Sequence, residues 1–122
     1  MELYTSYYSK VANMDTSDYV LIQVSVSKPK WFNKQVYECK ALYPEWRIVD
    51  DFKNGRITEE EYLKQYNADK TPDLVREIRQ WIIDILHKEN KDKAILLCWE
   101  GKDKFCHRHR AGQLLTCECK EL

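Results

Sequence analysis

Glycine is scarce in this chain, and its scarcity removes the commonest ways of binding a phosphate group. The 122 residues include three glycines, Gly55, Gly101 and Gly112. Neither the G-x-G-x-x-G turn of dinucleotide-binding proteins nor the G-x-x-x-x-G-K-[ST] phosphate loop can be built from them. A bound phosphate would therefore have to be held by a helix N-terminus and by side chains.

The chain also lacks an excess of either charge. Lys and Arg number 20 and so do Asp and Glu, whereas proteins that bind duplex nucleic acid usually carry a basic excess. We therefore expect no duplex nucleic acid as a partner. A small anionic or nucleotide-like ligand is compatible with this balance.

Long apolar runs are absent as well. No stretch approaches the ~20 apolar residues of a membrane span, and residues 1–5 show no basic segment followed by an apolar one. The sequence thus predicts no membrane association and a cytoplasmic location. In that compartment the five cysteines are expected as free thiols, reactive groups or metal ligands before they are disulfides. Their odd number also fits a disulfide framework poorly.

What the chain does contain is an alternation of strand and helix patterns. Strands are predicted near residues 3–9, 19–26 and 93–98, and helices near 45–53, 58–66, 72–90 and 105–116. Such an alternation predicts a single α/β domain over residues 1–122, a three-layer Rossmann-like fold with a small, mostly parallel sheet. The three strands are expected to be adjacent in that sheet.

Local signals fix two of the helix starts and leave one segment irregular. Thr58 and Glu61 match a capping box, and Thr71, Pro72 and Asp73 form a helix-start pattern. Residues 31–44 have no clean period, so we expect a long loop with a short strand near residues 35–37. Long irregular loops in small domains are often functional, and this loop is predicted to cover the site.

The segment from residue 94 to residue 110 carries the most chemistry in the sequence. An apolar strand pattern ends at Cys98, a short polar loop follows, and Cys106, His107 and Arg108 lie in the first turn of the next predicted helix. Ligands of open α/β sheets bind beyond the carboxyl ends of the strands. The candidate site is therefore expected at this edge of the sheet.

Each residue type there has a chemical role to offer. A helix N-terminus and nearby cations lower the pKa of a cysteine such as Cys106. His107 can move a proton. Arg108 can hold a phosphate or carboxylate through two parallel hydrogen bonds. The predicted catalytic residues are Cys98, Glu100, Cys106 and His107. The predicted ligand-binding residues are Arg108, Trp99, Tyr7 and Ser9, with Trp99 placed to stack on a ring.

Other interpretations compete with these roles. A free cysteine such as Cys106 is commonly a small buried hydrophobic residue. A cysteine-phosphatase loop needs an arginine where the count from Cys98 gives Lys104, so that pattern fails. Cys106 and His109 share a helix face, but Cys117 and Cys119 are too closely spaced to be a usual second pair of zinc ligands. The sequence therefore predicts no metal site and does not identify a cofactor.

Together these motifs resemble domain-of-unknown-function family 488 (DUF488), which includes the YeaO-like proteins. The resemblance rests on an apolar strand ending in Leu96, Leu97, Cys98 and Glu100, followed by Cys106, His107 and Arg108 at a helix start. Residues 4–7, 42–46 and 61–66 and Gly55 are also similar to that family. The resemblance implies a compact α/β domain with its site at the C-terminal motif, and it implies no defined reaction.

Three classes of function are compatible with these observations. The leading hypothesis is a site for a phosphorylated or nucleotide-like small molecule, with enzymatic turnover left open. The second is a protein-interaction or regulatory module, because tyrosine and tryptophan are favoured at interfaces and the chain has 8 and 4 of them. The third is a thiol redox or metal-binding protein that uses the cysteines.

Overall fold

Five parallel strands form one sheet in the computed structural model, which describes residues 1–101 and 105–122. Lys104, the residue on which the phosphatase pattern fails, lies outside these ranges. The strands are β1 (Glu2–Tyr7), β2 (Tyr19–Gln23), β3 (Tyr37–Glu38), β4 (Lys93–Cys98) and β5 (Lys120–Glu121). Their order is β3-β2-β4-β1-β5, so the three predicted strands are adjacent, and the predicted α/β class is confirmed.

Among the residues that the structure describes, five α-helices connect and cover the strands. They are α1 (Tyr8–Val11), α2 (Trp46–Lys53), α3 (Glu59–Asn67), α4 (Pro72–Glu89) and α5 (Arg108–Leu115), and a 3₁₀ turn spans Lys40–Leu42. In the described part of the chain, no helix is both long and apolar enough to cross a membrane.

The register of the central strand brings three strand ends to one edge of the sheet. β4 pairs with β1 up to Tyr7 opposite Cys98, and with β2 up to Gln23 opposite Leu97. From Ala94 to Cys98 the strand is buried throughout, as expected for a parallel strand covered on both faces. The segments that follow β1, β2 and β4 therefore begin side by side.

The two faces of the sheet are covered unequally. On one face, α4 and α5 pack against the sheet through residues such as Ile82, Ala111 and Leu115. On the other face, α1 and the segment around Phe32 cover Ile95 and Leu97. The fold thus has three layers, of which one is built mostly from a single helical turn and a loop.

Helices α2 and α3 form a separate aromatic cluster beside the segment that precedes α5. Ile48, Tyr62 and Tyr66 are buried there, and Phe52 and Phe105 pack against them. Tyr66 anchors the cluster, because its hydroxyl donates to the carbonyl oxygen of Leu42 at 2.7 Å. This arrangement places α2 next to the carboxyl edge of the sheet.

Several boundaries differ from the sequence predictions. β2 ends at Gln23 instead of residue 26, and beyond it the Ser25 carbonyl accepts a hydrogen bond from the Gln23 side chain. The final helix begins at Arg108, so Cys106 and His107 precede it instead of lying in its first turn. The C-terminal segment, for which no strand was predicted, forms β5 beside β1.

The capping box of α3 supports a prediction about stability. The Thr58 hydroxyl accepts from the Glu61 amide at 3.1 Å, and the Glu61 carboxylate accepts from the Thr58 amide at 3.1 Å. Thr58→Ala should lower the free energy of unfolding by about 1 kcal/mol, since one amide loses its partner. Urea unfolding followed by circular dichroism measures this loss. Gln65 is exposed in the same helix, and Gln65→Ala should change the free energy of unfolding by less than about 0.5 kcal/mol. Equal effects of the two substitutions would contradict the capping role.

Candidate functional site

A cleft of about 680 Å³ lies at the carboxyl edge of β2 and β4. One wall follows the two strands, a second comes from α2 and α3, and the segment before α5 closes the third side. The lining residues are Ser25, Val26, Ser27, Pro44, Trp46, Val49, Phe52, Lys53, Tyr62, Cys98, Trp99, Glu100, Phe105, Cys106 and His107. The cleft is therefore mostly aromatic and apolar, with a few polar groups, which is the usual character of a small-molecule site.

A disulfide joins Cys98 to Cys106 in the wall of this cleft, with an S–S distance of 2.06 Å. The prediction that the cysteines are free thiols is therefore wrong for this pair, although it holds for Cys39, Cys117 and Cys119. The pair forms because β4 ends at Cys98 and the chain returns to the same edge to begin α5. In this oxidised form neither sulfur can act as the nucleophile expected from the sequence.

Glu100 stands close to the disulfide. Its Oε2 atom lies 3.3 Å from Cys98 Sγ, but a disulfide sulfur carries no proton and cannot donate to it. The contact becomes a hydrogen bond only when Cys98 is reduced to a thiol. Glu100 thus places a carboxylate beside the sulfurs of the cleft.

His107 is buried, and its ring is fixed by a backbone carbonyl. Nε2 lies 2.5 Å from the Val24 carbonyl oxygen, which can only accept, so Nε2 carries the hydrogen. Burial lowers the pKa of His107 to about 4, and the nearby positive charge of Arg108 contributes. The neutral ring therefore keeps a free lone pair on Nδ1, which lies 3.7 Å from Cys106 Sγ.

Arg108 does not line the cleft. Its side chain is fully buried; Nη1 donates to the Glu100 carbonyl at 2.7 Å, and Nη2 donates to the Gly101 carbonyl at 3.3 Å. Nε and Nη2 also donate to the carboxylate of Glu121 at 3.2 and 2.8 Å. The expectation that Arg108 shares one pocket with the cysteines is thus corrected: its donors hold the loop after β4 to the C-terminal strand.

Glu121 completes this ion pair, in which the arginine is fully buried and the carboxylate is 23% exposed. Partial burial alone would raise the pKa of its carboxyl group, but hydrogen bonds from Arg108 and Thr5 lower that pKa overall. This partner was not predicted, because Glu121 lies beyond the last predicted helix, in a segment with no strand pattern. A two-residue strand beside β1 brings it to Arg108.

The predicted site residues divide into two groups. Cys98, Trp99, Glu100, Cys106 and His107 are brought together around the cleft. Tyr7, Ser9 and Arg108 are not among the residues that line it. Tyr7 lies under the Arg108 guanidinium at 5.6 Å from its ring centre, and Ser9 is exposed on α1, where its carbonyl accepts from Asn13.

The wall that α2 and α3 supply was not among the predicted parts of the site. Trp46, Phe52 and Lys53 come from α2 and Tyr62 from α3, whereas residues 31–44 contribute only Pro44. Trp46 is 68% exposed. A tryptophan on the outer face of a short amphipathic helix was the available signal that α2 contributes to a binding surface. Where α2 docks is a tertiary property that helical spacing does not encode.

Searches with protein-family models, curated proteins and solved structures found no match to this chain.

Proposed function

We propose that this chain binds a nucleotide-like small molecule, one with a planar ring and an anionic group, in the cleft. The observation that carries the proposal is the composition of the cleft walls, in which aromatic side chains face a small set of polar groups. Membership of domain-of-unknown-function family 488 is part of the proposal and is compatible with a site beside the Cys-His-Arg motif.

Two tryptophans support recognition of a ring. Trp46 and Trp99 are 68% and 47% exposed although both line the cleft. Trp99 is held in place because its indole N–H donates to the Ser27 carbonyl at 2.9 Å. Stacking of a base on such a side chain contributes about 1–3 kcal/mol, so an inserted ring would gain affinity and cover apolar surface.

Polar groups support recognition of the rest of the ligand. Lys53 offers a positive charge to a phosphate, and Glu100 can accept from a hydroxyl of a sugar. Arg108 takes no part, since its donors are used within the fold. Stacking should therefore contribute more affinity than the phosphate.

Binding can be tested by tryptophan fluorescence and thermal shift with nucleosides, mononucleotides and sugar phosphates that have no ring base. We expect ring-bearing ligands to quench fluorescence and to raise the Tm. Trp46→Ala should weaken their binding by about 5- to 150-fold, the equivalent of 1–3 kcal/mol. Lys53→Gln should weaken the binding of mononucleotides more than the binding of the matching nucleosides, which lack the phosphate.

Trp31→Ala is the matched control, because Trp31 is 57% exposed and is not among the cleft-lining residues. It should leave binding unchanged. The proposal is rejected if no ring-bearing ligand protects the wild type, or if Trp31→Ala and Trp46→Ala weaken binding equally.

A protein partner is the second candidate. Val26, Trp46 and Trp99 are exposed large apolar residues that meet at the cleft, and such clustering is typical of interaction surfaces. In that case Trp46→Ala would reduce partner binding while nucleosides would not compete for it.

A cytoplasmic location also belongs to the proposal. Thiols are kept reduced in that compartment, and cytosolic disulfides are usually transient. The Cys98–Cys106 pair would then exist partly as two thiols.

A further inference from the structure

We propose that Cys98, Cys106 and His107 form a zinc-binding site when the disulfide between the two cysteines is reduced. This inference is independent of the nucleotide-like ligand. It concerns the same wall of the cleft, but it rests on the positions of three donor atoms.

The donor atoms are already close enough for one ion. One ligand atom each from Cys98, Cys106 and His107 lies within 4.8 Å of the other two. Zinc bonds of about 2.3 Å to sulfur and 2.0–2.1 Å to nitrogen place tetrahedral sulfur and nitrogen ligands about 3.6 Å apart. The distance of 3.7 Å from Cys106 Sγ to His107 Nδ1 matches that separation. Breaking the S–S bond would let the sulfurs move apart to a similar distance.

The ring of His107 is oriented as a metal ligand requires. Histidine ligands usually donate their second ring N–H to a carbonyl or carboxylate, which fixes the tautomer. Here Nε2 donates to the Val24 carbonyl at 2.5 Å, and Nδ1 is left facing Cys106. The segment after β2 thus supplies the outer support of the site.

The donor set favours zinc over calcium or magnesium. Two thiolates and an imidazole are soft or borderline ligands, whereas calcium and magnesium take oxygen. Three protein ligands leave a fourth position open, as in catalytic zinc sites. Because all three residues line the cleft, that position would be reached from it, and Glu100 lies beside Cys98.

Reduction of the disulfide consumes one phosphine and one water molecule. The phosphorus lone pair of a phosphine reductant attacks one sulfur and forms a P–S bond, while the S–S bond breaks and its electron pair leaves with the other sulfur. Water then attacks phosphorus, and the P–S bond breaks with its electron pair on sulfur. The phosphine is oxidised to its oxide with an oxygen atom from water, whose two protons give two thiols. When Zn²⁺ binds, both thiols release their protons to the buffer.

The experiment compares the oxidised and the reduced protein in the absence of any nucleotide. The chain is reduced with a phosphine, desalted under argon, and its thiols are counted before titration with Zn²⁺ or Co²⁺. Reduced protein should bind one ion, with a Kd below about 1 μM, and Co²⁺ should show the visible bands of tetrahedral thiolate coordination. Oxidised protein, which is folded with both sulfurs blocked, should lose this binding.

Two variants locate the site. Cys98→Ser with Cys106→Ser should abolish metal binding in the reduced state. Cys117→Ser with Cys119→Ala removes the two cysteines near the C-terminus and should bind Co²⁺ with an unchanged spectrum. Trp46→Ala, which tests the nucleotide-like ligand, should also bind metal normally, so the two proposals can fail separately.

The inference is overturned if fully reduced wild type binds no Co²⁺, or if the oxidised protein binds it equally well. It is also overturned if binding survives the loss of Cys98 and Cys106 or disappears with Cys117 and Cys119. Should the serine variant unfold, the comparison of oxidised with reduced wild type still decides the outcome.

Discussion

Replacing Arg108 with methionine is expected to lower the free energy of unfolding by about 3–5 kcal/mol, the usual cost of removing one partner from a buried ion pair. The Arg108 side chain has no exposed surface and donates to Glu121 at 2.8 Å. Methionine fills a similar volume but leaves the Glu121 carboxylate and the Glu100 and Gly101 carbonyls without these donors.

Urea unfolding at neutral pH, followed by circular dichroism, measures this loss. Arg76→Met is the matched control, since Arg76 pairs with Asp73 on the outside of α4 and both side chains are at least 70% exposed. An exposed pair of that kind contributes about 0–1 kcal/mol. If Arg108→Met costs no more than Arg76→Met, the ion pair is not a structural support.

A double-mutant cycle separates the pair from the rest of the arginine contacts. Arg108→Met and Glu121→Gln should be less destabilising together than the sum of the single changes, because the double variant no longer leaves a charge unpaired. The backbone contacts to Glu100 and Gly101 depend on Arg108 alone, so part of its effect should remain when Glu121 is already glutamine.

Much of the fold follows from local signals. Thr71 caps α4, Pro72 occupies its first turn, and Asn90 ends it in the left-handed conformation. The residues at its two ends therefore determine where this helix begins and ends. The apolar run of β4 is equally clear, because a strand buried on both faces tolerates few polar side chains.

The disulfide and the ion pair could not be predicted in the same way. Cys98 and Cys106 are eight residues apart, and their pairing depends on the path of the loop and on where α5 begins. Glu121 meets Arg108 only because a short β5 pairs with β1. Two-residue strands have no periodicity that a sequence could display.

The cleft illustrates the same limit. Its strand side was predictable, because β2 and β4 end at one edge and the residues after Cys98 must lie there. Its other side depends on how the α2 and α3 aromatic residues pack around Phe105. Helical spacing identifies the apolar face of α2, but it does not say which surface that face meets.

Acidification from pH 7 to pH 4 is expected to destabilise the protein by about 3 kcal/mol through His107 alone. Burial lowers its pKa from 6.5 to about 4 in the folded chain, and the charge of Arg108 adds to this. Each pKa unit corresponds to about 1.4 kcal/mol. In this window the unfolded chain binds the proton that the folded chain excludes, so stability falls as the pH drops from 6.5 towards 4.

The contribution can be isolated with His107→Gln. Glutamine keeps an N–H for the Val24 carbonyl but does not titrate. Between pH 7 and pH 4 the free energy of unfolding of this variant should therefore fall by about 3 kcal/mol less than that of the wild type. Urea unfolding at several pH values gives both curves. Glu121 does not confuse the comparison, because its lowered carboxyl pKa moves its own loss of stability below pH 4.5.

His109→Gln, two residues further along the chain in the first turn of α5, provides the comparison. Burial and Arg108 lower the pKa of His109 as well, but its side chain is 41% exposed and Glu121 opposes the shift. Its removal should therefore flatten the pH dependence less than removal of His107. If His107→Gln keeps the full acid sensitivity of the wild type, His107 is not the buried neutral group that holds the Val24 carbonyl, and the orientation of Nδ1 towards the two sulfurs loses its support.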